Sequence, residues 1–250
     1  MMKKFSVLLA TLALMLSATV SVPAFTAAAA TADGKETAVE RGGVRKPLNL
    51  AVLVQDDLIG RVGNELKVTG DFIRTLPSGS RVMVGYITAG SLQVRQPFTS
   101  DLEQAAKSLR IPVASNAATS FNPYIEVIEA LRRFDELEGQ GTNPNAVLLI
   151  SDGLDTSRGF DYSSALNSPD LLRAVREAKR REVAVYSFYA PSVGLTSSNR
   201  VAASLGQGAL NRLSEGTGGR AFYQGTSFVS FDPYFKRLRR ALNEQYAPIS

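Results

Sequence analysis

The sequence predicts an α/β protein, a sheet covered by helices on both faces, and three observations predict it. Short apolar runs at Leu48–Val54, Ala146–Ile150 and Val183–Tyr189 are nearly continuous, as strands buried on both faces require. Between them lie stretches with apolar residues at helical spacing, so strands and helices alternate along the chain. The 250 residues are 44% hydrophobic and 20% charged, enough apolar material for one large core and too ordinary a charge content for disorder.

The elements follow in order. Leu48–Val54 is the first buried strand and ends in Gln55-Asp56-Asp57. Leu66, Phe72, Ile73 and Leu76 mark a helix that Pro77-Ser78-Gly79 stops. In Arg81–Thr88 the alternation of Val82, Val84 and Tyr86 predicts a strand, and Ala89-Gly90 turns the chain into a hairpin partner running from Leu92 to Phe98, where Pro97 suits a sheet edge. Asp101–Leu109 and Tyr124–Phe134 read as helices, the second with Ile125, Ile128 and Leu131 along one face. Ala146–Ile150 is the next buried strand and ends in Ser151-Asp152-Gly153. Ser168 caps a helix that begins with Pro169 and turns Leu171, Ala174, Val175 and Ala178 to the core. A strand at Val183–Tyr189, a helix at Leu205–Leu213 stopped by Gly218-Gly219, a short strand at Ala221–Tyr223 and a closing helix through Phe231, Phe235, Leu238 and Leu242 complete the chain.

Ahead of this domain, Lys3 and Lys4 precede an apolar run from Phe5 to Leu16 and then small residues up to Ala30, the order of a secretory signal peptide. The run is shorter than the ~20 apolar residues of a membrane span. Residues 1–30 are therefore expected to be a signal, with cleavage after Ala24 or within Ala27–Ala32, so between 24 and 32. Residues 31–47 read as a flexible linker, 48–246 as the folded domain and 247–250 as a tail. The expected location is outside the cytoplasm, periplasmic or extracellular, with membrane contact only through an uncleaved signal. Loss of the signal lowers the net charge from +5 to +3, because it carries Lys3 and Lys4 and no acid. That modest charge makes nucleic acid an unexpected partner. The basic runs Arg173–Arg181 and Lys236–Arg240 read first as solvated helix faces.

Composition narrows the chemistry further. With no His and no Cys, the chain has no His-based triad, thiolate nucleophile, thiolate metal site or disulfide. What remains are carboxylates, hydroxyls, amines and backbone. In an open α/β sheet, ligands gather beyond the carboxyl ends of the strands, where the strand order reverses. Asp56 and Asp57 follow one strand and Asp152 another, and the polar stretch Ser115–Asn122, with Thr119, precedes a helix at the same edge. Carboxylates and a hydroxyl converging there would suit a hard cation, Mg²⁺, Mn²⁺ or Ca²⁺. The same Asp residues also suit loop and helix-terminus caps. Gly206-x-Gly208 lacks the third glycine and the preceding strand of a phosphate loop. Pro191–Arg200, polar and following a strand end, reads equally as part of a binding face or as a surface connection.

Asp56-x-Leu58-x-Gly60, Thr119 and Leu148-Leu149-Ile150-Ser151-Asp152-Gly153-Leu154-Asp155-Thr156 together resemble a von Willebrand factor type A domain. Gln96-Pro97-Phe98-Thr99-Ser100-Asp101 and Leu213-Ser214-Glu215-Gly216-Thr217-Gly218-Gly219-Arg220 are similar to stretches of its bacterial secreted members. The resemblance covers about Leu48 to Tyr246. It implies a Rossmann-like, doubly wound, mostly parallel sheet with one antiparallel edge strand. It also implies a metal-ion-dependent adhesion site of the form Asp-x-Ser-x-Ser with a Thr and an Asp, at which a partner's acidic group completes the cation's shell.

Carried over by residue, Asp56, Thr119 and Asp152 match as metal ligands, while Leu58 and Gly60 replace both serines and make the site degenerate. Asp57 and Asp155 are the candidate auxiliaries. Fewer protein oxygens mean weaker divalent binding. The implied function is an exported, non-enzymatic protein-interaction module, adhesive or scaffold-like, binding a protein partner in the cell envelope or outside the cell, as metal-free family members also do. The alternative is a metal-assisted phosphatase or hydrolase with Asp56 as nucleophile, although Leu58 stands where haloacid dehalogenase-like phosphatases carry their second Asp.

Overall fold

In the computed structural model, which describes residues 43–113, 120–137, 141–226 and 230–246, the first apolar run becomes β1 (Asn49–Gln55), buried along its whole length. Residues 1–30, the start of the expected linker through 42, Ser115–Thr119 and the tail 247–250 lie outside the described residues. After β1 come α1 (Val62–Arg74), β2 (Arg81–Thr88), β3 (Ser91–Thr99) and α2 (Leu102–Lys107). They are followed by α3 (Pro123–Arg133), a 3₁₀ turn (Phe134–Leu137), β4 (Asn145–Ser151), α4 (Pro169–Arg180) and β5 (Ala184–Tyr189). The chain ends with the single-turn α5 (Leu195–Ser198), α6 (Arg200–Gly216), β6 (Ala221–Phe222) and α7 (Asp232–Gln245).

The six strands form one sheet in the order β3-β2-β1-β4-β5-β6. The β2–β3 pair is antiparallel and the other pairs are parallel. This is the α/β, Rossmann-like, doubly wound sheet with an antiparallel edge that the sequence implied. Strand side chains alternate between two cores, as a period of two demands. Leu50, Val52 and Val54 of β1 join Val82, Val84, Leu148, Ile150 and Phe188 on the face covered by α1 and α7. Ala51 and Leu53 join Met83, Val147, Leu149 and Val185 on the face covered by α3, α4 and α6.

Local chemistry sets the helix ends. Ser168 Oγ accepts from Leu171 N–H at 3.2 Å ahead of Pro169, and Asn199 Oδ1 accepts from Val201 and Ala202 N–H at 3.0 and 3.1 Å at the start of α6. In α3 the inner face differs from the expected one. Ile128 and Leu131 are buried as expected, but Ile125 is 44% exposed, and Tyr124 and Val127 are buried in its place. Tyr124 takes the inner position because its hydroxyl reaches the Gly153 carbonyl, a bond a rotated helix could not make.

Packing begins at Val44, ahead of the strand. Asn243 of α7 accepts from Arg45 N–H at 2.8 Å and donates to the Gly43 carbonyl at 3.2 Å, which clasps the entering chain to the last helix. Among the described residues, no helix is long and apolar enough to cross a membrane.

Candidate functional site

The strand order reverses between β1 and β4, which run in parallel with Val54 opposite Ile150. Their carboxyl ends therefore deliver Gln55-Asp56-Asp57 and Ser151-Asp152-Gly153 side by side, at the crevice where such sheets bind ligands. Gln55 joins the two ends. Its Oε1 accepts from the Ser151 hydroxyl and from Asp152 N–H, and its Nε2 donates to Asp57 Oδ1 at 2.7 Å.

Each carboxylate has a defined surrounding. Asp56 is held by Arg110: Nη1 donates to Oδ1 at 2.6 Å and Nη2 to Oδ2 at 2.7 Å, while Val113 N–H donates to Oδ1 at 3.0 Å. Asp57 lies beside it, and burial, followed by the nearby Asp152 charge, pushes its carboxyl up to about 7. Asp152 is buried, with Oδ1 accepting from Leu154 N–H at 3.0 Å and Oδ2 from Thr196 Oγ1 at 3.4 Å. Burial raises its carboxyl pKa, while hydrogen bonds from Ser192, Leu154, Gln55 and Thr196 oppose that rise. Both hydroxyls come from the segment after β5, so Pro191–Arg200 does shape this edge.

Asp155 is placed apart from this cluster. Its Oδ1 accepts from Ser157 N–H and Oγ at 3.1 and 2.6 Å, in an Asx turn, and its Oδ2 accepts from Asn122 Nδ2 at 3.2 Å. It lines a cleft of about 350 Å³ together with Arg158, Asp161 and Asp170. Thr119 lies outside the described residues. Leu58 turns fully into the core, and its backbone bridges Ser192. Gly60 faces open space.

The loop after β4 is held by close approach as well as by hydrogen bonds. Gly153 has φ +77°, and a Cβ there would lie 2.4 Å from the Gly206 carbonyl oxygen. A Cβ on Gly206 would lie 2.0 Å from the Asp152 carbonyl oxygen. Gly206 therefore serves backbone-to-backbone contact between α6 and the Asp152 loop, not a phosphate. Thr156 completes the arrangement, since its N–H donates to the Phe121 carbonyl at 2.8 Å and its Oγ1 accepts from Phe121 N–H at 2.9 Å.

A divalent cation at this edge would need a shell of free oxygens. Such ions take six or more oxygens, and the fit depends on free carboxylate oxygens. Both Asp56 oxygens are engaged by a guanidinium, Leu58 and Gly60 offer no side-chain oxygen, and Asp152 is occupied by protein donors. Among the described residues, no group of three or more acidic side chains could hold a metal ion. Among the described residues, Asp56, Leu58, Gly60 and Asp152 as they stand do not fit the cation.

Exposed aliphatic groups surround the acidic turn. Ile111 is 62% exposed, Val113 64% and Val193 36%. Val113 and Val193 are fixed there by their own backbones, Val113 through Asp56 and Val193 through its N–H to the Asp57 carbonyl at 2.8 Å. A cleft of about 600 Å³, lined by Gly60, Lys67, Arg74, Arg110 and Ile111 among others, opens alongside between α1 and α2. The basic runs are largely engaged: Arg180 pairs with Glu177, Arg181 with Asp135 and Lys236 with Asp232, and Arg237 and Arg239 lie over aromatic rings.

No protein-family model matches the sequence, and no curated protein matches it. Solved structures do share the fold. BatB from Bacteroides thetaiotaomicron aligns with a TM-score of 0.51 and 13% identity over 79% of this chain and 98% of that one. Human COPII-coat protein Sec24c aligns with a TM-score of 0.52 and 11% identity over 80% of this chain, which spans only 33% of that one. Manganese-loaded Plasmodium vivax TRAP aligns with a TM-score of 0.50 and 13% identity over 78% and 73% of the two chains. At these identities the likeness is one of fold. The chain has a von Willebrand factor A-like fold, the class that its sequence resemblance implied.

Proposed function

We propose that this protein is an exported, non-enzymatic interaction module that docks a protein partner of the cell envelope or extracellular space on the loops beyond the carboxyl ends of its strands. The observation that carries the proposal is the ring of Ile111, Val113 and Val193, solvent-facing aliphatics fixed by main-chain bonds around a charged turn. Exposed aliphatic side chains gathered beside polar and charged groups mark protein-binding surfaces. The von Willebrand factor A-like fold supports this reading, and the order of residues 1–30 supports export. The hydrolase alternative gains no support, since both oxygens of its candidate nucleophile Asp56 are held by Arg110.

The test is site-specific photo-crosslinking in the native envelope from Val113 and Val193, with Lys46 at the opposite end of β1 as control. The expected result is one common protein adduct from both valines, weakened by Val193→Asp and absent from Lys46. An adduct from Lys46 alone, or none that Val193→Asp reduces, overturns the proposal.

A further inference from the structure

We infer that Arg110 is a built-in cation of this face, a covalently attached guanidinium that takes up the Asp56 carboxylate in place of an exchangeable divalent ion. The inference concerns the charge balance of the docking face and deepens the reading above. Its direct test does not depend on that reading.

The Arg110–Asp56 contact has the geometry of a deliberate pair. Two parallel N–H···O bonds of 2.6 and 2.7 Å join the planar guanidinium to both carboxylate oxygens, the strongest arrangement open to these groups. The pair is well shielded, with Arg110 and Asp56 side chains 25% and 13% exposed. Arg110 is fixed at three further points. Its guanidinium carbon lies 4.1 Å from the centre of the Tyr86 ring, and its Nη1 also donates to the Ile111 carbonyl at 3.1 Å. Its backbone is locked to the same tyrosine, because Arg110 N–H donates to the Tyr86 hydroxyl at 2.6 Å and that hydroxyl donates to the Arg110 carbonyl at 2.7 Å. Tyr86 belongs to β2, opposite Val54, so the clamp is built on the strand next to the one that delivers Asp56.

A divalent ion at Asp56 would have to break both charge-assisted bonds and release Arg110 from its ring. It would regain few oxygens, because Leu58 and Gly60 supply none. A fixed guanidinium also makes the missing serines intelligible: with the charge of Asp56 already balanced, no hydroxyls are needed to complete a cation's shell. Recognition at this face would then be indifferent to chelators and to divalent concentration.

The test is titration calorimetry and thermal unfolding of the full chain with MgCl₂, MnCl₂ or CaCl₂, alongside Arg110→Gln, Asp56→Asn and the double variant. The expected wild-type result is no saturable heat at millimolar cation and no rise in Tm beyond that given by matched NaCl. Each single variant should lower Tm, and the double variant should lose no more than the worse single, the mark of a coupled pair. Arg110→Lys, which keeps the charge and loses the two-pronged contact, serves if Arg110→Gln fails to fold and should fall between wild type and Asp56→Asn. Saturable cation binding by the wild type that is lost in Asp56→Asn overturns the inference, as do additive losses in the cycle. Capture of a partner that chelator abolishes would overturn the built-in cation and leave the docking face standing. Failure of the valine crosslinks would do the reverse.

Discussion

Two glycines of α6, two positions apart, should respond to the same substitution with opposite sign. A methyl on Gly206 would lie 2.0 Å from the Asp152 carbonyl oxygen and 3.4 Å from Leu154 Cγ. Bringing the first contact to 3.4 Å would require the helix and the loop to part by about 1.4 Å, and the obstacle is backbone that cannot rotate away. Overpacking of this kind costs about 1–3 kcal/mol, here at the upper end. Replacing glycine by alanine in a helix interior returns roughly 1 kcal/mol, leaving a net loss of about 2 kcal/mol. For a domain of this size that lowers Tm by roughly 4–8 °C. At Gly208 the methyl would instead meet Leu166 Cδ2 at 2.9 Å, the free end of a side chain that is 36% exposed. That side chain can swing outward, so Gly208→Ala should gain about 0.5 kcal/mol or more. The assay is urea denaturation followed by far-ultraviolet circular dichroism, which suits a chain with no Trp. A Gly206→Ala midpoint at or above wild type, or an equal loss in Gly208→Ala, would refute the close-approach reasoning.

Two further outcomes are expected. Tyr124→Phe removes the hydroxyl that donates to the Gly153 carbonyl and leaves a buried acceptor unpaired, a loss of about 1–3 kcal/mol; thermal unfolding checks it, and an unchanged Tm would show that another donor serves the loop. Burial, with a smaller part from the Glu129 charge, pushes the Glu126 carboxyl from its ordinary 4.5 up to about 7. The folded state therefore binds the extra proton between those values, and stability falls as pH rises through that window. Glu126→Gln should then gain on the order of 2 kcal/mol over wild type above pH 7 and nothing near pH 4. A difference independent of pH would contradict the burial argument.

The fold was legible because its strands are of the kind that sequence displays well. β1, β4 and β5 are buried on both faces, so nearly every position is apolar, and the edge strand β3 advertises itself through Pro97 and alternating exposure. The site was legible in part. Asp56, Asp57 and Asp152 could be placed at one sheet edge because position after a strand is a local property. Asp155, four residues beyond the end of β4, is instead bonded to Ser157 and Asn122, which no spacing rule announces. Gln55 had a readable signal, a polar residue closing a nearly continuous apolar run. Arg110 had none: it lies 54 residues from Asp56 and meets it only once β2 and the segment after α2 are folded. Ile125 was misplaced because Ile125 and Tyr124 both satisfy a helical stripe, and the hydroxyl bond to Gly153 decides between them.

The clasp made by Asn243 has a consequence for orientation. Residues 43–45 enter beside α7, and that helix ends near the start of β4, where the Tyr246 hydroxyl donates to the Asn145 carbonyl at 3.3 Å. Both ends of the described domain thus leave from the amino pole of the sheet, and Val113 and Val193 stand at the other pole. A molecule held at either end, by a natural leash or an experimental surface, stands upright with the Val113 and Val193 loops outermost. Pulling on the leading segment would load the Asn243 contacts before any strand of the sheet.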